Sequence, residues 1–213
     1  MTETPEDALP GLSFNPRTAG EFDAFYTGAA PWDIGRPQAA FRRLAESGLL
    51  AGRVLDAGCG TGEHALLCAG LGLAATGIDA APTAIGLARR KAQERGLDVR
   101  FLLGDALDLG ALGEQYDTVI DSGLFHSFED DDRARLVGSL RAATVAGGRY
   151  YLLCFADQQP GDWGPRRVSQ DEIRASFADG WRVDSIEAAT FEVAFGPGGS
   201  DGALAWLATI TRA

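Results

Sequence analysis

Residues 54–67 read VLDAGCGTGEHALL. An apolar strand pattern runs into an acid, Asp56, and then into Gly58, Gly60 and Gly62 at alternate positions, after which a helical pattern begins. Glycines at a strand-to-helix turn let a ligand approach the backbone and the positive end of the helix closely. The spacing narrows the ligand. A dinucleotide turn reads G-x-G-x-x-G, and a Walker loop ends in Gly-Lys-Ser/Thr. Here the spacing is G-x-G-x-G, Glu63 stands in the place of the third dinucleotide glycine, and no lysine is near. A carboxylate at 63 repels a pyrophosphate unless it points to solvent. Asp56, beside the loop, suits a cationic amino group better than a phosphate.

Working outward, the chain alternates. Upstream, 17–28 (RTAGEFDAFYTG) predicts a short helix with Phe22, Phe25 and Tyr26 on one face, followed by a turn, APWDIGRP, and a helix through Ala45. Downstream, LAATGID, VRFLLGD, YDTVIDSG and GGRYYLLCFA read as the second to fifth strands. The helix after the second strand has Pro82 near its start and Gly96 just past its end, as capping preferences expect. Further helices are predicted from Gly62 to about Leu71, from about Asp131 to Thr144, and near 169–178. WRVDSIEAATFEVAF and ALAWLATITRA, joined by GPGGSDG, read as a hairpin. Five strand–helix alternations imply a doubly wound α/β sheet with right-handed crossovers, and the hairpin adds an antiparallel strand at an edge. Ligands of such sheets bind at the carboxyl ends of the strands, where the glycine loop lies.

Composition bounds the function. The chain has 213 residues, 46% hydrophobic and 23% charged, which suits one soluble globular domain. No apolar run reaches the 18 or so residues of a membrane span, and the start, MTETPEDALPG, lacks the pattern of a signal peptide. Cys59, Cys68 and Cys154 have no metal-ligand spacing and read as reduced thiols of a cytoplasmic protein. A net charge of −11 argues against a polyanionic partner such as DNA or tRNA. Lys91 is the only lysine; arginine holds nearly every other basic position, which reads as genomic base composition.

Asp79 ends the second strand, where an acid can accept from both hydroxyls of a ribose. Asp105, after the third strand, can accept from an adenine amino group while the Ala106 N–H donates to the ring. Together with the loop, these describe a nucleoside without phosphates, best one bearing an amino-acid tail. Asp79 and Asp105 also fit as helix caps, and Cys59 reads as packing within a loop that needs small residues.

VLDAGCGTG, GIDAAPTAI, GDALDL and YDTVIDSGLFH, in this order and each at a strand end, resemble the successive motifs of the class I S-adenosylmethionine-dependent methyltransferases. The match runs over roughly 30–155. FYTGAAPWDIGRPQAAF further resembles the subgroup of thiopurine, halide/thiol and tellurite-resistance methyltransferases, where a tryptophan segment covers the cofactor. The resemblance implies a Rossmann-like seven-stranded sheet, mostly parallel, with a C-terminal antiparallel hairpin strand and an N-terminal helical lid. Residues 1–16, with proline and acid and little apolar content, read as disordered or loosely packed, and 17–213 as one methyltransferase domain: lid and helix at 17–50, cofactor core at 51–155, acceptor-side loop, helix and hairpin at 156–213.

The cofactor implied is S-adenosylmethionine, with Trp32, Asp56, Gly58, Gly60, Gly62, Asp79, Ala80, Asp105, Ala106, Asp121 and Ser122 around it and no metal. His126 is a candidate base, with pocket shaping or a backbone bond as its other readings. Tyr26 is a candidate for positioning the methyl or the acceptor. Phe22, Tyr26, Trp32, Phe125, Phe128 and Trp163 offer an aromatic wall to a small acceptor with a thiol, selenol, phenol or heteroaromatic nitrogen, although packing accounts for any single one of them as well. Arg36 reads equally as a carboxylate clamp or a surface pair. A non-catalytic binder of the same cofactor and an NAD(P)-dependent oxidoreductase are the alternatives, and the oligomeric state stays open.

Overall fold

The computed structural model describes residues 18–28, 30–194 and 202–213. Helices α1 (Ala19–Phe25) and α2 (Ala39–Glu46) precede β1 (Arg53–Ala57), α3 (Glu63–Gly70), β2 (Ala74–Asp79), α4 (Pro82–Arg95), β3 (Val99–Leu103), β4 (Tyr116–Ser122), α5 (Asp130–Ala143), β5 (Thr144–Phe155), α6 (Gln170–Ser176), β6 (Trp181–Phe191) and β7 (Ala203–Arg212). Short 3-10 turns occupy Ala106–Leu112 and Phe125–Ser127. The seven strands form one sheet in the order β3-β2-β1-β4-β5-β7-β6. β7 is antiparallel to both its neighbours, and the other pairs are parallel. The antiparallel strand therefore lies one place in from the edge, and β6 forms the rim. The expected loose segment 1–16 and most of the hairpin turn lie outside the described residues. Among the described residues no helix is long and apolar enough to cross a membrane.

Local chemistry accounts for the element ends. Thr18 and Glu21 form a reciprocal capping box on α1, and Ser169 and Glu172 form another on α6. Gly96, with φ 64°, closes α4 in the left-handed conformation. β5 starts at Thr144, earlier than the expected Gly147. The backbone passes straight from α5 into the strand, and the bond from Thr144 Oγ1 to Leu140 O (2.7 Å) seals the corner. Gly147 and Gly148 fall at a register shift between β4 and β5 instead of marking the strand's beginning.

The sheet is buried on both faces, so its central strands alternate between two cores. Tyr150, Leu152 and Cys154 of β5 join the side packed by α5 and α6, whereas Tyr151, Leu153 and Phe155 join the side packed by α2, α3 and α4. Each fully buried apolar side chain contributes about 1.5–3 kcal/mol relative to exposure. The same crossovers bring the carboxyl ends of β1, β2, β4, β5 and β6 to one edge.

Candidate active site

At that edge the glycine loop is held from several sides. Asp79 accepts from the N–H of Gly60 through Oδ2 and from the N–H of Ala81 through Oδ1, both at 2.8 Å. Burial raises its pKa against the pull of these bonds. Gly60 has φ 52°, and a Cβ there would stand 2.8 Å from the Tyr26 hydroxyl. Gly62 is the αL residue that opens α3, and a Cβ there would strike the Phe101 ring at 2.5 Å. Glu63 does not point to open solvent: it is 5% exposed and paired with Lys91 and Arg95 of α4. Against the upward push of burial, Arg95 and Lys91 hold its carboxyl below the ordinary range.

Asp56 is 1% exposed. Its Oδ2 accepts from the Ala65 N–H at 3.1 Å, and its Oδ1 is buried without a partner. Burial pushes its pKa up to about 7. A buried acceptor with spare capacity beside a glycine loop is what a donor-bearing ligand would satisfy.

The N-terminal segment lies over the loop. Trp32 Nε1 donates to the Tyr26 hydroxyl at 2.8 Å, and the Trp32 ring contacts Phe22, Phe25 and Tyr26. Burial raises the Tyr26 pKa well above its ordinary value. Two anchors hold this lid. Asp23 accepts from the N–H and hydroxyl of Thr83 in the first turn of α4. Gln38 pairs with both backbone polar groups of Glu192, just past β6, whose carboxylate takes the Ala39 N–H and the Arg36 guanidinium. Arg36 is thus in a pair with Glu192. The cleft between lid and loop is lined by Tyr26, Trp32, Arg36, Gly58, Gly60, Thr61, His64 and Ser122, among others.

Other expected residues fall differently. Asp105 is exposed and its Oδ1 caps the following 3-10 turn through the Leu107 N–H (2.8 Å), with Ala106 as the turn's first residue. Ala80 is exposed beside Asp79. Asp121 is corrected: it is wholly buried, and its oxygens take the N–H groups of Leu124 and Phe125 and the hydroxyl of Tyr150 (2.7 Å). It organises the turn after β4 and offers no surface to a ligand. Phe125 is likewise core, packed on Phe177 with the Arg133 guanidinium over its ring.

His126 is corrected as a base. Its Nδ1 accepts from the Phe155 N–H at 2.9 Å, so the neutral ring carries its proton on Nε2. No lone pair remains to take a proton, and burial pushes the pKa down to about 3. The ring packs on Phe155 and Phe191. Phe155 in turn meets Trp163 and Phe191, so these rings form a packed aromatic cluster beneath the ends of β5 and β6. Phe155 and Phe191 are 2% and 3% exposed and serve as core at the ends of their strands. His64 was not singled out in the sequence. It follows the loop directly, lines the cleft, and accepts from the Gln38 N–H through Nε2 at 3.1 Å. Its pKa is pushed down to about 4 by burial.

A glycine turn between β1 and α3, acids at the ends of β1 and β2, and a lid sealed onto them define a nucleoside-binding transferase edge, and the family comparison agrees. Residues 54–148 match the family described as a methyltransferase domain, and full-length similarity extends the match, so the chain belongs to the class I S-adenosylmethionine-dependent methyltransferases. It is 39% identical over 205 residues to 2-heptyl-1-hydroxyquinolin-4(1H)-one methyltransferase of Mycobacteroides abscessus, covering 95% of this chain and 88% of that one. A protein solved in work on the conversion of a disulfide bond into a thioacetal group during echinomycin biosynthesis is 40% identical with a TM-score of 0.82, covering 92% and 93% of the two chains. A probable thiol methyltransferase of Arabidopsis thaliana is 25% identical over 197 residues, covering 92% and 87%.

Proposed function

We propose that this methyltransferase acts on a small acceptor whose nucleophilic atom is ready without a protein base: a thiol or selenol, a heteroaromatic nitrogen, or an acidic aromatic hydroxyl. One observation carries the reading. The chain has two histidines, and each spends its free lone pair on a backbone N–H, from Phe155 to His126 and from Gln38 to His64. The relatives act, by their names, on a hydroxyquinolone and on thiols, which supports acceptors of this kind. The acidic net charge of −11 favours a small acceptor over a nucleic acid.

The residues present fit the cofactor. The unpartnered Oδ1 of Asp56 suits its ammonium group, the glycines at 58 and 60 suit its tail, and each Asp79 oxygen keeps a lone pair for a ribose hydroxyl. The Ala106 N–H and the second oxygen of Asp105 suit the adenine edge, with Ala80 beside the ribose. S-adenosylmethionine supplies a methyl already activated on a sulfonium. The chain's part is then to orient acceptor and donor and to keep water out with the Tyr26–Trp32 lid; such positioning is worth about 7–11 kcal/mol. Tyr26, whose oxygen accepts from Trp32, keeps its own proton to donate across the cleft.

The test is an acceptor panel graded by acidity, read by release of the demethylated cofactor at several pH values. Rates should follow the ionised or lone-pair-bearing fraction of each acceptor, with thiols and acidic hydroxyheterocycles ahead of simple phenols, whose pKa is near 10. Equal rates at neutral pH for thiols and weakly acidic phenols would overturn the proposal.

A further inference from the structure

Lys91 belongs to none of the motifs around the cofactor loop, yet it reaches that loop from α4. Its Nζ donates to Thr61 Oγ1 at 2.7 Å and to Glu63 Oε1 at 2.8 Å. Arg95, one turn on, donates to both oxygens of Glu63 at 2.8 Å. Thr61 sits between Gly60 and Gly62 and is 4% exposed. The loop is therefore held on two sides, by Asp79 on the Gly60 N–H and by Lys91 on the Thr61 hydroxyl. A lysine suits this place because its ammonium has three donors on a flexible stem, so one head serves a neutral hydroxyl and a carboxylate at once. Glu63, ionised and nearly buried, fixes that head where Thr61 needs it.

We propose that Lys91 is a positioning residue for cofactor binding, acting through Thr61 to hold the glycine loop in its receiving shape. It touches neither donor nor acceptor. A flexible glycine loop that must be ordered on binding costs affinity, and a side chain that orders it beforehand recovers that affinity. Its loss therefore falls on the cofactor and leaves the acceptor untouched.

Calorimetric titration with S-adenosylmethionine and its demethylated product tests this. Lys91→Met should weaken both by about tenfold, the size of one charge-assisted hydrogen bond. The acceptor KM, and kcat at saturating cofactor, should stay within about twofold. Thr61→Val should match it, Thr61→Ser should behave as wild type, and the double substitution Lys91→Met with Thr61→Val should be no worse than either alone. Unchanged cofactor affinity in Lys91→Met with a lowered Tm would make Lys91 a brace of the fold and overturn the proposal, as would additive losses in the double variant. If Lys91→Met fails to fold, the Thr61→Ser and Thr61→Val pair decides: equal affinities overturn the proposal, and a loss confined to valine upholds it.

Discussion

With the Phe155 N–H bonded to Nδ1, His126 acts as a strut between the turn after β4 and the end of β5. His126→Ala leaves that buried N–H without an acceptor and opens a gap between Phe155 and Phe191. The expected cost is about 1–3 kcal/mol of stability, measured by urea unfolding, while the pH dependence of kcat/KM keeps its shape. Disappearance of an acidic limb in the variant would restore the base assignment. Asp79 differs, because its two oxygens already organise the loop and still have capacity for a ligand. Asp79→Ala should lower cofactor affinity by about 2–4 kcal/mol through two charge-assisted bonds. Titration of a folded variant checks this, and unchanged affinity would reduce Asp79 to a support for its own turn.

Glycines within elements divide by what surrounds them. Gly60 holds φ 52° with the Tyr26 hydroxyl 2.8 Å from any added Cβ, whereas Gly86, exposed on α4, has open space around it. Gly60→Ala should therefore cost roughly 1–2 kcal/mol from the left-handed backbone alone and displace the lid, weakening the cofactor as well. Gly86→Ala should raise stability by about 0.5–1 kcal/mol. Thermal unfolding of the two variants side by side shows opposite signs if this holds. α4 also depends on a cap from another element: its own preceding residue, Ala81, offers no side-chain bond, and Asp23 of α1 serves the Thr83 N–H instead. Asp23→Ala should cost about 1 kcal/mol by the same measurement, through the cap and the lid contact together.

Across the molecule, buried titratable groups pull stability in opposite directions with pH. Burial lowers His64 to about 4 and His126 to about 3. The unfolded chain binds those two protons below about 6.5 and the native chain does not, so their contribution is full above that pH and is lost on acidification. Burial raises Asp56 and Asp121 to about 7. The native chain keeps protons there that the unfolded chain releases above about 3.9, so that contribution is full in acid and fades as pH rises through 7. Between pH 4 and 6.5 the two pairs offset one another, and Asp79, also raised by burial, adds only a gentle fall as pH rises. Urea unfolding across pH should show a broad plateau there, then a fall below pH 4 as the paired carboxylates Glu63, Glu172 and Glu192 are also protonated. A steep slope inside the plateau would contradict the balance.

The doubly wound order, the strand ends and the cofactor class were legible in residues 54–67 and in the acids at 79 and 105, because strand periodicity and glycine turns are local and the ligand edge follows from topology. The helices α1 and α6 were equally expected from local pattern, and the structure closes the start of each with a capping box. Roles that depend on a partner far along the chain were not legible. His126 owes its tautomer to Phe155, Asp121 spends its oxygens on Tyr150 and a turn, and Glu63 is neutralised by two cations a helix away. Phe191 reaches the His126 and Phe155 rings only because β7 pairs between β5 and β6. A hydrogen-bonding side chain shows in sequence what it is able to accept or donate; which of those bonds it has already made is decided by packing, and that decides whether it remains free for chemistry.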